Sequence, residues 1–151
     1  MRVWRIARER FVALDGEGAR LNGGRWNSEG IPVVYTSSTL SLAALEYLVH
    51  IDVEDVPDDL RALEIDLPDD ITIETVDAST LPHDWNRVDD DPTCAAAGDT
   101  WAGGAAALAL RVPSAIIPAE QNVLLNPRHP DMARVRVVSV AVFAFDRRLL
   151  E

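Results

Sequence analysis

Asn22-Gly-Gly-Arg25-Trp-Asn-Ser-Glu-Gly30, Ile31-Pro-Val-Val-Tyr35-Thr-Ser37 and Thr39-Leu-Ser-Leu-Ala-Ala-Leu-Glu46-Tyr-Leu-Val-His50 read in turn as a glycine-flanked loop, a short strand over 31–36 and a helix over 40–50. Each part carries one conspicuous polar group: Arg25, Tyr35 and Glu46. Glu46 is the only charged residue between Leu40 and Val49, and apolar side chains fall on nearly every face, the pattern of a buried helix. A carboxylate inside such a helix needs a charge partner, protonation or a cavity. Arg25, one strand earlier, is the natural candidate. The residues alone leave two readings open: a structural Glu46–Arg25 ion pair, or two charges lining one ligand site.

Working outward, the 151 residues suit one domain, and 48% hydrophobic with 26% charged residues is the balance of a soluble globular protein. No apolar run is long enough to cross a bilayer, and the opening Met1-Arg-Val-Trp-Arg-Ile lacks the apolar core of a signal peptide, so a cytoplasmic protein is expected. The lone Cys94 excludes an internal disulfide and a cysteine-rich zinc site, and suits a small buried hydrophobe. With a net charge of −11, and 14 basic residues (all Arg) against 25 acids, direct nucleic-acid binding is not expected. A basic protein partner is.

The flanks supply more elements. Residues 3–11 alternate apolar and basic side chains as a strand does, and 15–18 turn the chain. Gly16-Glu-Gly18 starts like a dinucleotide fingerprint, but the third glycine is missing and no helix pattern follows. Ser37, Ser38 and Thr39 are candidate N-caps for the 40–50 helix, and 52–59 is an acidic connection. Strands are expected at 62–67 and 71–76, and a polar loop with Trp85 at 81–91. A helix is expected from Pro92, broken near Gly103-Gly104, then short strands over 111–118 and from 122. In 135–145 both alternating sets are apolar for most of the length, which predicts a central strand covered on both faces. Strands come in runs, so the fold class is α+β with a mixed or antiparallel sheet.

Six ordered blocks carry a resemblance. They are Gly24-Arg25-Trp26-Asn27 with Gly30, Tyr35-Thr36-Ser37, Ala44-Leu45-Glu46, Gly98-Asp99-x-Trp101, Val112-Pro113-Ser114, and Asn122 with Asn126-Pro127-x-His129-Pro130. Together they resemble the RES-domain toxins of bacterial toxin–antitoxin pairs, over nearly the whole of 1–151, with the family's Arg, Glu and Ser falling on Arg25, Glu46 and Ser114. The resemblance implies one RES domain of ADP-ribosyltransferase-like fold, a split mixed or antiparallel sheet with flanking helices. It implies NAD+ as substrate, cleaved between nicotinamide and ribose by phosphorolysis or hydrolysis, with inorganic phosphate as a possible co-substrate and no cofactor or metal. It also implies an Xre-type helix-turn-helix antitoxin as partner, which binds DNA in the toxin's place. Transfer of ADP-ribose to a protein, or an inactive partner-binding module, are the alternatives.

The residues can serve that chemistry. Nicotinamide leaves as a neutral group and the ribose gains oxocarbenium character, which a fixed carboxylate such as Glu46 stabilises. Arg25 can hold the diphosphate through its planar fork, and Tyr35 can stack on nicotinamide or ribose. Ser114 can donate to the ligand or to phosphate, with Asn122 supporting the same region. Taken without the family, Tyr35 reads as core packing and Ser114 as a strand-edge hydroxyl. His129 and Asp131 read as turn residues, and Trp26 and Trp101 as core or cleft wall.

Overall fold

The computed structural model describes residues 1–87 and 92–151; Val88–Asp91, the end of the expected 81–91 loop, lie outside the described residues. In chain order the elements are β1 (Arg2–Arg8), α1 (Glu17–Asn22), β2 (Val34–Ser37), α2 (Leu40–Leu48), β3 (Leu60–Asp66), β4 (Ile73–Thr75), α3 (Pro92–Gly104), β5 (Ala109–Pro113), β6 (Gln121–Leu125) and β7 (Arg136–Val142), with short 3-10 turns between. The strands form one sheet in the order β4-β5-β6-β2-β1-β3-β7, parallel only at β4–β5.

The sheet is split. Seven residue pairs join β1 to β3, and four join β2 to β6. A single pair, Trp4 opposite Ser37, joins β1 to β2. The two halves therefore diverge beside this junction. This is the ADP-ribosyltransferase-like arrangement expected from the resemblance.

Alternation along the strands sorts the core onto two faces. Val3, Val34, Leu63, Ile65, Ala109, Val123 and Leu125 make a continuous cluster on one face. On the other face the apolar residues form two separate clusters. Trp26, Trp85, Cys94, Trp101, Leu110, Val112 and Leu124 lie over β5 and β6, and Ile6, Ala43, Leu60 and Phe145 lie over β1 and β3. Ser37 and Asn122 share this second face with Tyr35 and Leu124, by their register. The gap between the clusters is where polar side chains collect.

Three elements differ from expectation. The 40–50 helix is not buried all round: Leu42 and Ala43 are buried, whereas Leu45 and Val49 are 39% and 59% exposed. Glu46, three and four residues beyond that buried pair, lies on the inner side nonetheless. A helix does follow Gly16. Asp15 Oδ1 accepts the Glu17 N–H at 3.1 Å, Gly16 takes a φ of 68°, and Arg20 bonds Glu17 within the turn. Six residues are too few for a periodic pattern to declare themselves. The expected central strand, 135–145, is instead the edge strand β7, exposed at all seven positions. Apolar residues on both sets reveal two apolar faces, and β7 has them with β3 on one side and, among the described residues, no strand on the other.

Candidate active site

Glu46 is held by its neighbours across the gap. Thr39 caps α2, its side chain accepting the Leu42 N–H at 3.1 Å, which starts the helix directly after β2 and carries Glu46 towards the ends of β5 and β6. There, Glu46 Oε1 accepts the Ser114 hydroxyl at 2.8 Å and the Asn122 Nδ2–H at 2.6 Å. Oε2 accepts no hydrogen bond among the described residues. One oxygen is thus fixed by two donors and the other is without one among the described residues, in a side chain that is partly exposed. Hydrogen bonds to an ionised acceptor are the strong kind, each stabilising by about 1.5–3 kcal/mol.

Ser114 and Asn122 reach this oxygen for local reasons. Pro113 ends β5, and Ser114 opens the turn that follows, fully buried. Its hydroxyl accepts the N–H groups of Ile116 (3.2 Å) and Ile117 (3.0 Å), a side-chain-capped turn. A serine hydroxyl has one proton and two lone pairs. Here both lone pairs face amides and the proton goes to Glu46, so Ser114 orients the carboxylate rather than acting as a free donor to a ligand. Asn122 sits opposite Ser37 on β2, whose hydroxyl donates to Asn122 Oδ1 at 2.7 Å. Ser37 belongs to the Tyr35-Thr36-Ser37 block and is one of the three candidate N-caps, a role that Thr39 takes instead. For its contact with Asn122 the readable signal is alternation, which places it on the face of Tyr35.

Arg25 is held differently. Its two terminal nitrogens donate to the carbonyls of Trp85 and Arg87, both at 2.8 Å. The Glu46–Arg25 ion pair does not form: Arg25 has no carboxylate within salt-bridge distance among the described residues. The guanidinium keeps donors to spare. Its loop is fastened from two sides. Tyr35 Oη donates to Asn27 Oδ1 at 2.7 Å and accepts the Trp26 N–H at 3.1 Å, so Tyr35 ties the loop to β2. A Cβ on Gly24 would come within 2.7 Å of that hydroxyl. From above, α3 presses its backbone on the loop: a Cβ on Gly98 would fall 1.7 Å from the Trp26 carbonyl oxygen. Asp99 accepts both the Ser28 N–H (2.9 Å) and the Ser28 hydroxyl (2.6 Å). The Gly98-Asp99-x-Trp101 block is therefore the clamp of the Arg25 loop.

The structure thus brings Glu46, Ser114 and Asn122 into direct contact and holds Arg25 and Tyr35 in a second group. The two groups are anchored on one face of β2 at Tyr35 and Ser37, two residues apart, or about 7 Å along a strand. The tryptophans, Cys94 and His129 lie as expected. Trp26, Trp85 and Trp101 are buried, as is Cys94. His129 Nδ1 accepts the Asp131 N–H at 3.0 Å and caps a 3-10 turn. A depression of about 570 Å³ lined by Ser38, Thr75, Asp77, Pro113 and Gln121 contains none of the candidate residues. Gln121 and Pro113 alternate with Asn122 and Ser114, so it opens on the other side of the sheet.

The RES domain model matches residues 2–148. The chain belongs to the RES domain family. It is similar to a protein named Toxin Res from Photorhabdus laumondii, 38% identical over 100% of this chain and 98% of that one. It is also similar to the Prs ADP-ribosylating toxin of a Sphingobium strain, 34% identical over 97% of this chain and 95% of the relative. Among solved structures it is similar to a chain of the M. tuberculosis MbcT–MbcA toxin–antitoxin complex. That match has a TM-score of 0.78 and 19% identity, covering 94% of this chain and 83% of the other. At that identity the likeness speaks for the fold, and it agrees with the split sheet described above.

Proposed function

We propose that this RES-family chain is the toxin of a toxin–antitoxin pair and that it breaks the bond between nicotinamide and ribose in NAD+. The observation that carries the reading is the state of Glu46: one carboxylate oxygen is pinned by Ser114 and Asn122, and the other accepts no hydrogen bond among the described residues, in a side chain that is partly exposed. A carboxylate fixed beforehand stabilises positive charge developing on a ribose without reorganising as the bond breaks. The bond from C1″ of ribose to the pyridinium nitrogen breaks, its electron pair leaves with the nitrogen, and nicotinamide departs neutral. An oxygen of phosphate or water then bonds to C1″, and where water attacks it releases a proton to solvent. Arg25, charged and without a carboxylate partner among the described residues, binds the diphosphate; Tyr35 holds the Arg25 loop and borders the nicotinamide end. Ser114 and Asn122 aim Glu46.

The names of the relatives support the toxin role, and the structural neighbour, solved as a toxin–antitoxin complex, supports an antitoxin partner. The partner we propose is an Xre-type helix-turn-helix protein that covers the cleft; a basic surface on it would complement a net charge of −11. The relative named as an ADP-ribosylating toxin favours a second reading, transfer of ADP-ribose to a protein side chain.

Incubation of the purified chain with labelled NAD+, with and without inorganic phosphate and with a cell lysate as source of acceptor protein, tests these readings by product. ADP-ribose-1″-phosphate with free nicotinamide is the result for phosphorolysis, and free ADP-ribose the result for hydrolysis. Label on a protein establishes the second reading. NAD+ left intact in every arm, lysate included, refutes both.

A further inference from the structure

We propose that Ser37 is a positioning residue, acting through Asn122 to fix the direction from which an N–H reaches the Glu46 carboxylate. The proposal rests on the reading of Glu46 as the group that acts on ribose. An asparagine amide has two ends of nearly equal size and opposite hydrogen-bonding sense. Only the Nδ2 end can donate to a carboxylate. In Asn122 that end lies 2.6 Å from Glu46 Oε1, and the Oδ1 end accepts the Ser37 hydroxyl at 2.7 Å. Two contacts at opposite ends fix both the plane of the amide and its sense. Without the Ser37 hydroxyl, Oδ1 has no donor among the described residues, and rotation of the amide brings a carbonyl oxygen against a carboxylate.

The place of Ser37 in the fold adds to this. It pairs with Asn122 on β6 and is also the one residue of β2 in register with β1, opposite Trp4. It is 3% exposed, so its hydroxyl is not displaced freely by water. The seam at which the sheet splits is thereby linked through two hydrogen bonds to Glu46. From the other side, the Ile116 and Ile117 amides orient Ser114 on the same oxygen. Ser37 makes no contact with Glu46 itself. Its replacement should act on turnover and leave binding of substrate almost untouched.

The test combines a resonance with kinetics. In ¹H–¹⁵N spectra the Asn122 side-chain amide is identified by its loss in Asn122→Asp. In Ser37→Ala we expect its proton donated to Glu46 to move upfield, towards the position of a free asparagine amide. We expect kcat for NAD+, per folded molecule, to fall about tenfold, the effect of one misdirected hydrogen bond, with KM within twofold. Ser37→Thr, which keeps the hydroxyl on a strand, should restore both. Should Ser37→Ala not fold, Ser37→Cys, a weak donor of similar size, should shift the resonance the same way by less. An unmoved Asn122 resonance in a folded variant lacking the hydroxyl overturns the proposal, as does a moved resonance with unchanged kcat. If the wild-type protein leaves NAD+ intact, the reading of function fails, and the resonance alone still decides whether Ser37 aims Asn122.

Discussion

The two polar groups beside the split of the sheet solve the same problem in different ways. Around Glu46, two neutral donors converge on one oxygen, and each is itself held, Ser114 by two amides and Asn122 by Ser37. Around Arg25, two carbonyl oxygens take the terminal nitrogens, and the loop beneath is clamped by Tyr35, Gly98 and Asp99. A structural ion pair would have joined the two charges. Instead each is oriented by uncharged partners. Two opposite charges held on one sheet face and not neutralising each other suit a ligand that is both anionic and prone to develop positive charge. NAD+, with a diphosphate and a ribose at the breaking bond, is such a ligand.

The sharpest way to break one group and spare the other is Gly98→Ala. The new methyl would lie 1.7 Å from the Trp26 carbonyl, backbone against backbone, with no flexible side chain to yield. We expect the Arg25 loop and α3 to separate, at a cost of several kcal/mol, which a thermal melt reads as a large fall in Tm. Arg25→Ala is gentler. It removes the charge and keeps the loop's other ties, so Tm should stay close to wild type while KM for NAD+ rises about tenfold to a hundredfold, the worth of a charged hydrogen-bonding contact with the diphosphate. Steady-state kinetics check it, and an unchanged KM removes Arg25 from binding.

The smallest effect is expected away from both groups. Asp59 receives a 2.9 Å hydrogen bond from Arg8 Nε, which holds its carboxyl below the ordinary carboxylate range. A depressed value in the folded state contributes stability that is present above the unfolded value and lost as pH falls through the folded one. Asp59→Asn should therefore flatten, slightly, the loss of stability below about pH 4 and leave turnover at neutral pH unchanged. Melting curves from acid to neutral pH check it. A change in turnover would mean that the β1–β3 half of the sheet communicates with the cleft.

Much of this was legible in the chain. The order of the strands and of the two longer helices followed from period and punctuation, α1 being missed, and a cap among Ser37, Ser38 and Thr39 and the break near Gly103-Gly104 from local chemistry. That Arg25, Tyr35, Glu46, Ser114 and Asn122 belong to one region came from six ordered blocks. Their partnerships did not. Glu46 meets residues 68 and 76 positions away, and Arg25 meets carbonyls 60 and 62 positions away. Contacts at such separation depend on register, which no local pattern encodes. Backbone carbonyls as partners are harder still, since every residue has one. The exposure of β7 was hidden for a related reason. Val137, Val138 and Val140 show that both faces are apolar, whereas what covers them is a matter of neighbours. Gly98 was visible as part of a motif, and only the approach of the Trp26 backbone explains it.

The central claim is that Glu46 is held as a charge for catalysis and not as a structural partner. Glu46→Gln tests it most directly, with NAD+ turnover and thermal melting on the same sample. The amide keeps the shape and an oxygen able to accept from Ser114 and Asn122, and removes the charge. We expect a Tm close to wild type and a loss of turnover of about a hundredfold or more, the effect of removing one preorganised electrostatic group. A Glu46→Gln protein that melts normally and turns over NAD+ at the wild-type rate would contradict it.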